Sequence, residues 1–186
     1  MLSSKPLIAV SIAIIVGLLL LAFAAYTYKP ELIKVHEDIE ASYRNVSHID
    51  AEIFSKLKSE NLVIFDVREP VEYEVSHLVG AIQIDPNIGT AEFETNYGHL
   101  IEDKTAIFYC SVGKRSSALA SQLQDVIVVN GATNAFNLIG GIFQWHNESR
   151  QLVQGRAKQT KKIHPYNKYW ARYITNKKSV SYKPEQ

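Results

Sequence analysis

Hydrophobic and polar positions along the chain fall into three regimes. Residues 7–26 form a run of 20 without a charge, interrupted only by Ser11 and Gly17. At 1.5 Å rise per residue a helix of that length matches the hydrocarbon core of a bilayer, about 30 Å. Lys5 precedes the run, and Tyr26, Tyr28 and Lys29 follow it, residues that favour a membrane interface. This predicts an uncleaved single-pass anchor with the domain on the periplasmic side of a bacterial inner membrane. The alternative is a signal peptide cut after Ala22-Phe23-Ala24, which would release the chain.

From residue 47 the pattern changes to short apolar runs alternating with periodic segments. Ser47 or Asp50 is a candidate cap for a helix with Ile53, Phe54 and Leu57 on one face. Leu62-Val63-Ile64-Phe65 reads as a buried parallel strand. Glu69-Pro70 opens a short helical turn, with proline at its start. Ala81-Ile82-Gln83-Ile84 is a second strand, stopped at Asp85-Pro86, and residues 105–109 are a third. A helix is predicted from Ser116 to about Gln124, a fourth strand over 135–138, and a short helix from Gly140-Gly141 to about Trp145. Val126-Ile127-Val128-Val129 suits either an extension of the preceding helix or a strand. Strands alternating with helices imply an α/β domain with a mostly parallel sheet.

The last regime is aromatic and basic. Tyr166, Tyr169, Trp170, Tyr173 and Ile174 recur at the spacing of one helical face. Pro165 suits the first turn of such a helix and Lys177-Lys178 its last. The face would dock on the domain, lie on a membrane surface, or meet an anionic macromolecule. No nucleic-acid motif is present, and residues 179–186 read as loose. The organisation is thus an anchor or signal peptide over 1–29, a linker over 30–46, a domain over 47–149, and a basic extension with an aromatic helix over 150–186.

Charge sharpens this division. The formal net charge of +1 over 186 residues is a sum of opposites. Residues 1–149 carry 10 Lys+Arg and 18 Asp+Glu (10 − 18 = −8), and residues 150–186 carry 10 against one (10 − 1 = +9). The single Cys excludes an internal disulfide framework and any CxxC site, and six His without ligand spacing give no metal-binding pattern.

That single Cys stands at the chemically richest point. Cys110-Ser111-Val112-Gly113-Lys114-Arg115-Ser116 follows a strand and opens a helix. Ligands of open α/β sheets bind at such carboxyl ends. Loop amides, the helix N-terminus, Lys114 and Arg115 all favour a thiolate at Cys110, and Gly113 allows a loop curled around sulfur. Cys110 is therefore the candidate nucleophile, with Ser111, Val112, Gly113, Lys114, Arg115 and Ser116 as the candidate cradle for an anionic substrate. The plainer alternative is a buried structural thiol.

The stretch resembles the active-site loop of rhodanese-type sulfurtransferases, which often read Cys-x-x-Gly-x-Arg-Ser. Asp66-Val67-Arg68, Tyr73 through His77 with Gly80-Ala81-Ile82, and Leu138-x-Gly140-Gly141-x-x-x-Trp145 resemble further elements of that family, in the same order, over about 45–149. The resemblance implies a rhodanese-like five-stranded parallel sheet flanked by helices. It also implies a persulfide on Cys110, loaded from thiosulfate or a persulfide and passed to a thiol acceptor, small or protein. It calls for no metal or organic cofactor. Asp66 and Arg68 read as a structural ion pair or as hydrogen-bonding the sheet edge, His77 as a packed histidine, and Trp145 as core or as lining the pocket. From Arg115 to Gly131 the chain is about four residues longer than the family spacing, near one helical turn. Two alternatives share the scaffold: a tethered binding module without turnover, and a Cys-dependent phosphatase. The latter expects Cys-x5-Arg where this chain has Cys-x4-Arg. Oligomeric state is not encoded in any of these patterns.

Overall fold

The computed structural model describes residues 14–19 and 31–185. Residues 32–186 make one compact unit, and residues 1–31 a separate one. In the latter, residues 14–19 are helical.

The membrane-spanning anchor, and with it the inner-membrane localisation, is corrected here. Among the described residues no helix is long and apolar enough to cross a membrane. The rest of the apolar run, including Ala22-Phe23-Ala24, lies outside the described residues.

The larger unit begins within α1 (Glu31–Ser42), which falls in the segment expected as a linker; Leu32 and Ile39 are buried. Next come β1 (Ser47–Ile49), α2 (Ala51–Phe54), β2 (Leu62–Asp66), α3 (Pro70–Val75), β3 (Ala81–Gln83), α4 (Thr90–Ile101) and β4 (Thr105–Tyr109). They are followed by α5 (Lys114–Gln122), α6 (Gln124–Val129), β5 (Asn134–Leu138) and α7 (Gly141–Asn147). β1 to β5 form one sheet in the order β1-β5-β4-β2-β3, every pairing parallel.

Period-two alternation on the central strand explains the two cores. Ile107 and Tyr109 join one cluster with Leu138, Ile142 and Phe143. Ala106, Phe108 and Cys110 join the other with Phe65, Phe93 and Leu119. All five of the β4 and post-β4 residues 106–110 are at most 1% exposed, as a strand covered on both faces requires. Asp50 caps α2 by accepting the Ile53 N–H at 2.7 Å, and Ser47 belongs instead to the edge strand β1. Between Arg115 and Gly131, α5 is followed directly by α6, which packs beside α4 and buries Val126 and Ile127. Val126-Ile127-Val128-Val129 is thus helical. Its β-branched residues are accommodated because only half of the stretch faces the core; Val128 and Val129 stay exposed.

The C-terminal region departs from expectation. An antiparallel hairpin, β6 (Leu152–Gln154) with β7 (Lys158–Thr160), precedes two single turns of 3-10 helix, Trp170–Tyr173 and Lys177–Ser179. No continuous aromatic helix forms. Tyr166 has a left-handed backbone (φ 64°), the Asn167 Oδ1 accepts the Tyr169 and Trp170 N–H groups at 3.0 and 3.2 Å, and Ile174 is extended. Asn side chains compete with helical hydrogen bonding in this way. Tyr173 and Ile174 nonetheless enter the core, so the segment docks on the domain. Residues 179–185 are held rather than loose: Ser179 is buried, Ser181 N–H donates to the Ile163 carbonyl at 3.0 Å, and Gln154 reaches the Glu185 carbonyl at 2.7 Å.

Candidate active site

Cys110 follows the last residue of β4, the middle strand of the sheet, so its loop opens at the carboxyl end where strands on both sides end too. The loop turns at Gly113 (φ 100°), which caps α5. That angle lies where a side chain is strained, and an added Cβ would also meet the Asn137 Nδ2 at 3.0 Å. α5 starts at Lys114, two residues earlier than the sequence pattern suggests, because the loop residues themselves wind into the first turn.

The loop's carbonyls are engaged from outside. Ile142 N–H donates to the Cys110 carbonyl at 2.9 Å and Phe143 N–H to the Ser111 carbonyl at 3.1 Å. The start of α7 thereby holds the carbonyls. Gly141 (φ 55°) makes this possible, since a Cβ there would run into the Cys110 oxygen and the Ser111 carbonyl. This gives a physical reason for the Gly140-Gly141 pair.

The loop's amides serve the sulfur. Gly113 N–H donates to Cys110 Sγ at 3.2 Å. Burial, with the residue 1% exposed, would push the thiol up; the Arg115 charge and hydrogen bonds from Ser116 and Val112 outweigh it, and the thiol lies below its ordinary value. The cation responsible is Arg115. Lys114 is exposed and borders the mouth.

Arg115 is itself fixed. Its Nη1 donates to Glu72 Oε2 at 2.7 Å, and its Nη2 to Glu72 Oε1 and Ser111 Oγ, both at 3.0 Å. Ser111 Oγ donates to Glu72 Oε1 at 2.9 Å. Burial resists ionisation of Glu72, and Arg115, with Arg68 and Ser111, overcomes it and holds the carboxyl below its usual range. Glu72 also receives the Glu69 backbone N–H at 3.1 Å, so one carboxylate caps α3 and orients the loop.

On the other side of the loop, Ser116 Oγ donates to Asn137 Oδ1 at 2.6 Å, and Asn137 Nδ2 lies 3.2 Å from His48 Nδ1. A cavity of about 170 Å³ opens over the sulfur, lined by Cys110, Ser111, Val112, Lys114, Arg115, Tyr166 and Trp170. The seven predicted residues thus make up the loop and the first turn of α5, and all of them but Gly113 and Ser116 line the cavity. The structure adds Glu72, Asn137, Tyr166 and Trp170, none of which the sequence pattern singled out for the site. A Glu within a Glu-Pro-Val-Glu helix start and a tyrosine after His-Pro were the available signals.

Other residues take structural places. Arg68 and Asp66, both fully buried, pair through Nε–Oδ1 at 2.8 Å and Nη2–Oδ2 at 2.6 Å, joined by the Tyr109 hydroxyl. His77 stacks on Tyr73 with its Nδ1 3.0 Å from the Tyr73 carbonyl. Trp145 packs on Phe54 and donates to the Gln151 carbonyl at 2.9 Å, away from the cavity.

Comparison with known proteins agrees with this architecture. The rhodanese-like domain family matches residues 50–148, more than half of the chain. The uncharacterized protein YqhL of Bacillus subtilis is 29% identical over 124 residues, 66% of this chain and 79% of that protein. A thiosulfate:glutathione sulfurtransferase of Saccharomyces cerevisiae is 31% identical over 121 residues, 57% of this chain and 84% of that one. The thiosulfate sulfurtransferase GlpE of Coxiella burnetii is 28% identical over 103 residues, 55% and 87% respectively.

Proposed function

The chain belongs to the rhodanese-like domain family, and from that premise we propose that it is a sulfurtransferase carrying sulfane sulfur as a persulfide on Cys110. The observation that supports this most is the Cys110 sulfur receiving the Gly113 N–H at 3.2 Å with Arg115 beside it. Such a setting favours a thiolate and, after transfer, the terminal sulfur anion of a persulfide.

In the first step the Cys110 thiolate attacks the sulfane sulfur of a donor such as thiosulfate. A sulfur–sulfur bond forms to Cys110, the bond to the sulfonate sulfur breaks, and sulfite leaves with the electron pair. In the second step a thiol or cyanide takes the outer sulfur and returns Cys110 as thiolate. Splitting one transfer into two is the gain of covalent catalysis. Amides of the loop receive charge at the sulfur, and Lys114 at the mouth attracts the anionic donor. With Cys110 the only cysteine, the persulfide has no internal thiol to resolve it, so the acceptor comes from outside. Sulfurtransferases acting on thiosulfate among the relatives agree with this donor class. A loop one residue shorter than Cys-x5-Arg is a poor match to a phosphate, which disfavours the phosphatase.

The test uses the full chain with thiosulfate and cyanide against Cys110→Ser. Thiocyanate formation, and a mass gain of one sulfur (about 32 Da) on Cys110, are expected in the parent and absent in the variant. Absence of both in the parent would leave a non-catalytic binding module.

A further inference from the structure

The cavity over Cys110 is not walled by the catalytic loop alone. Its outer wall is Tyr166 and Trp170, from the C-terminal segment beyond the matched family region. Both are held in place by several independent contacts. Tyr166 occupies the left-handed backbone region, which is unusual for a residue with a side chain. It is kept there by its N–H donating to His164 Nδ1 at 3.0 Å and by the Asn167 N–H donating to the Pro165 carbonyl at 2.8 Å. The consequence is that the Tyr166 ring lies over the Arg115 guanidinium, 4.8 Å from centroid to Cζ. Trp170 is backed by Tyr173 and flanked by Tyr169, each with centroids 5.4 Å away. Strained backbone fixed by surrounding contacts concentrates at binding sites.

The charge of the cavity has a corresponding character. Both Arg115 terminal nitrogens are engaged by Glu72, one also by Ser111, and Tyr166 covers a face of the guanidinium. Three of its five N–H donors are thus used and its charge is matched by the buried Glu72 carboxylate, so Arg115 acts on the sulfur at close range but adds little net charge for a second set of anionic oxygens. The exposed Lys114 pairs with no carboxylate among the described residues. One available cation and two aromatic rings suit a ligand with one negative charge and a flat apolar body better than a small dianion.

We propose that Tyr166 and Trp170 are specificity-determining residues, selecting a monoanionic sulfur donor with a flat apolar substituent, an aromatic thiosulfonate in chemical class, over inorganic thiosulfate. This rests on the sulfurtransferase reading of Cys110. The step balances without an oxidant or a proton: the thiolate and the thiosulfonate monoanion give the Cys110 persulfide anion and an aromatic sulfinate. The new sulfur–sulfur bond replaces the one broken, and the sulfinate leaves with its electron pair.

The test measures kcat/KM of the full chain with benzenethiosulfonate, methanethiosulfonate and thiosulfate, cyanide being the acceptor. Each is normalised to the rate of the same donor with a free thiolate, which removes intrinsic reactivity. The benzene compound is expected to exceed the methane compound and thiosulfate by about tenfold or more, the scale of one well-filled apolar contact. Trp170→Ala and Tyr166→Ala are expected to collapse that ratio mainly through KM, and Trp170→Phe to restore most of it. Equal normalised rates in the parent would overturn the proposal, as would variants that slow all three donors alike. Loading from thiosulfate without preference sinks this proposal alone. No loading of Cys110 by any donor sinks the sulfurtransferase reading and this one with it.

Discussion

Glu72 and Arg115 are joined by two parallel hydrogen bonds, at 2.7 and 3.0 Å, across a sequence separation of 43 residues. The pair ties the helix after β2 to the loop after β4 and so fixes the guanidinium beside the Cys110 sulfur. Bidentate pairing supplies directional constraint that a point charge does not. Glu72 is buried while a quarter of the Arg115 side chain reaches solvent, so removal of the carboxylate strands a largely shielded cation.

Glu72→Ala is therefore expected to destabilise the fold by about 2–4 kcal/mol, near the lower part of the range for breaking a buried ion pair. Urea unfolding followed by far-ultraviolet circular dichroism measures it. A change below about 1 kcal/mol would show that the pair contributes no more than a surface one.

The same carboxylate makes stability depend on pH in a defined direction. Its folded-state value is depressed, by Arg115 with Arg68 and Ser111 against burial. A depressed group contributes stability that is fully present above its unfolded value and is lost as pH falls through its folded one. The parent is thus expected to lose stability on acidification from about pH 5 downward, and Glu72→Gln to show a shallower slope there. Parallel slopes in the two proteins would assign the acid limb to other carboxylates.

At Cys110 the expected observable is thiolate fraction. Iodoacetamide alkylation of the parent should titrate below the ordinary thiol range, since Arg115 and the loop hydrogen bonds outweigh burial. Arg115→Ala should move the midpoint upward, leaving burial with less opposition. An unchanged midpoint in a folded Arg115→Ala protein would mean that the amides alone hold the anion.

Much of this architecture could be read in the chain, and the failures share a cause. The sequence predicts β4 with its observed bounds because Thr-Ala-Ile-Phe-Tyr is a buried run of strand-forming residues. The loop was legible because its chemistry is contiguous. β1 is not legible, because Ser-His-Ile is three residues at a sheet edge, too short for periodicity to register. Glu72 and Asn137 were invisible as site residues because their partners lie 43 and 21 positions away. The aromatic stripe was visible, but its spacing does not tell an α-helix from a single 3-10 turn when Asn167 competes for the backbone.

Gly141 supports the loop from behind, and its substitution is expected to be costly. Gly141→Ala would place a Cβ against the Cys110 and Ser111 carbonyl groups at a positive φ. Backbone cannot yield as a flexible side chain does, so a loss of about 3 kcal/mol or more is expected, or a displaced loop with sulfur transfer reduced. Gly80→Ala is the control: its φ is also positive, but nothing lies within 4 Å of the added carbon. It should cost about 1–2 kcal/mol, the penalty of the backbone conformation alone. Thermal unfolding of both separates collision from conformation, and equal losses would remove the collision.

Ser116 and Asn137 offer an opposed pair of changes. The Ser116 hydroxyl carries one hydrogen and donates it to Asn137 Oδ1 at 2.6 Å, although the sulfur of Cys110 is also within its influence. Ser116→Ala takes that donor from the sulfur's surroundings and should raise the thiol's midpoint. Asn137→Ala removes the competing acceptor and frees the hydrogen for the thiolate, so the midpoint should fall. It also takes the Asn137 amide from the half-buried His48, and a loss of about 0.5–1.5 kcal/mol is expected for that hydrogen bond. Alkylation rates across pH, measured on both variants beside unfolding curves, test the direction. If both substitutions shift the midpoint the same way, Asn137 acts only as packing and the hydroxyl does not divide its hydrogen between oxygen and sulfur.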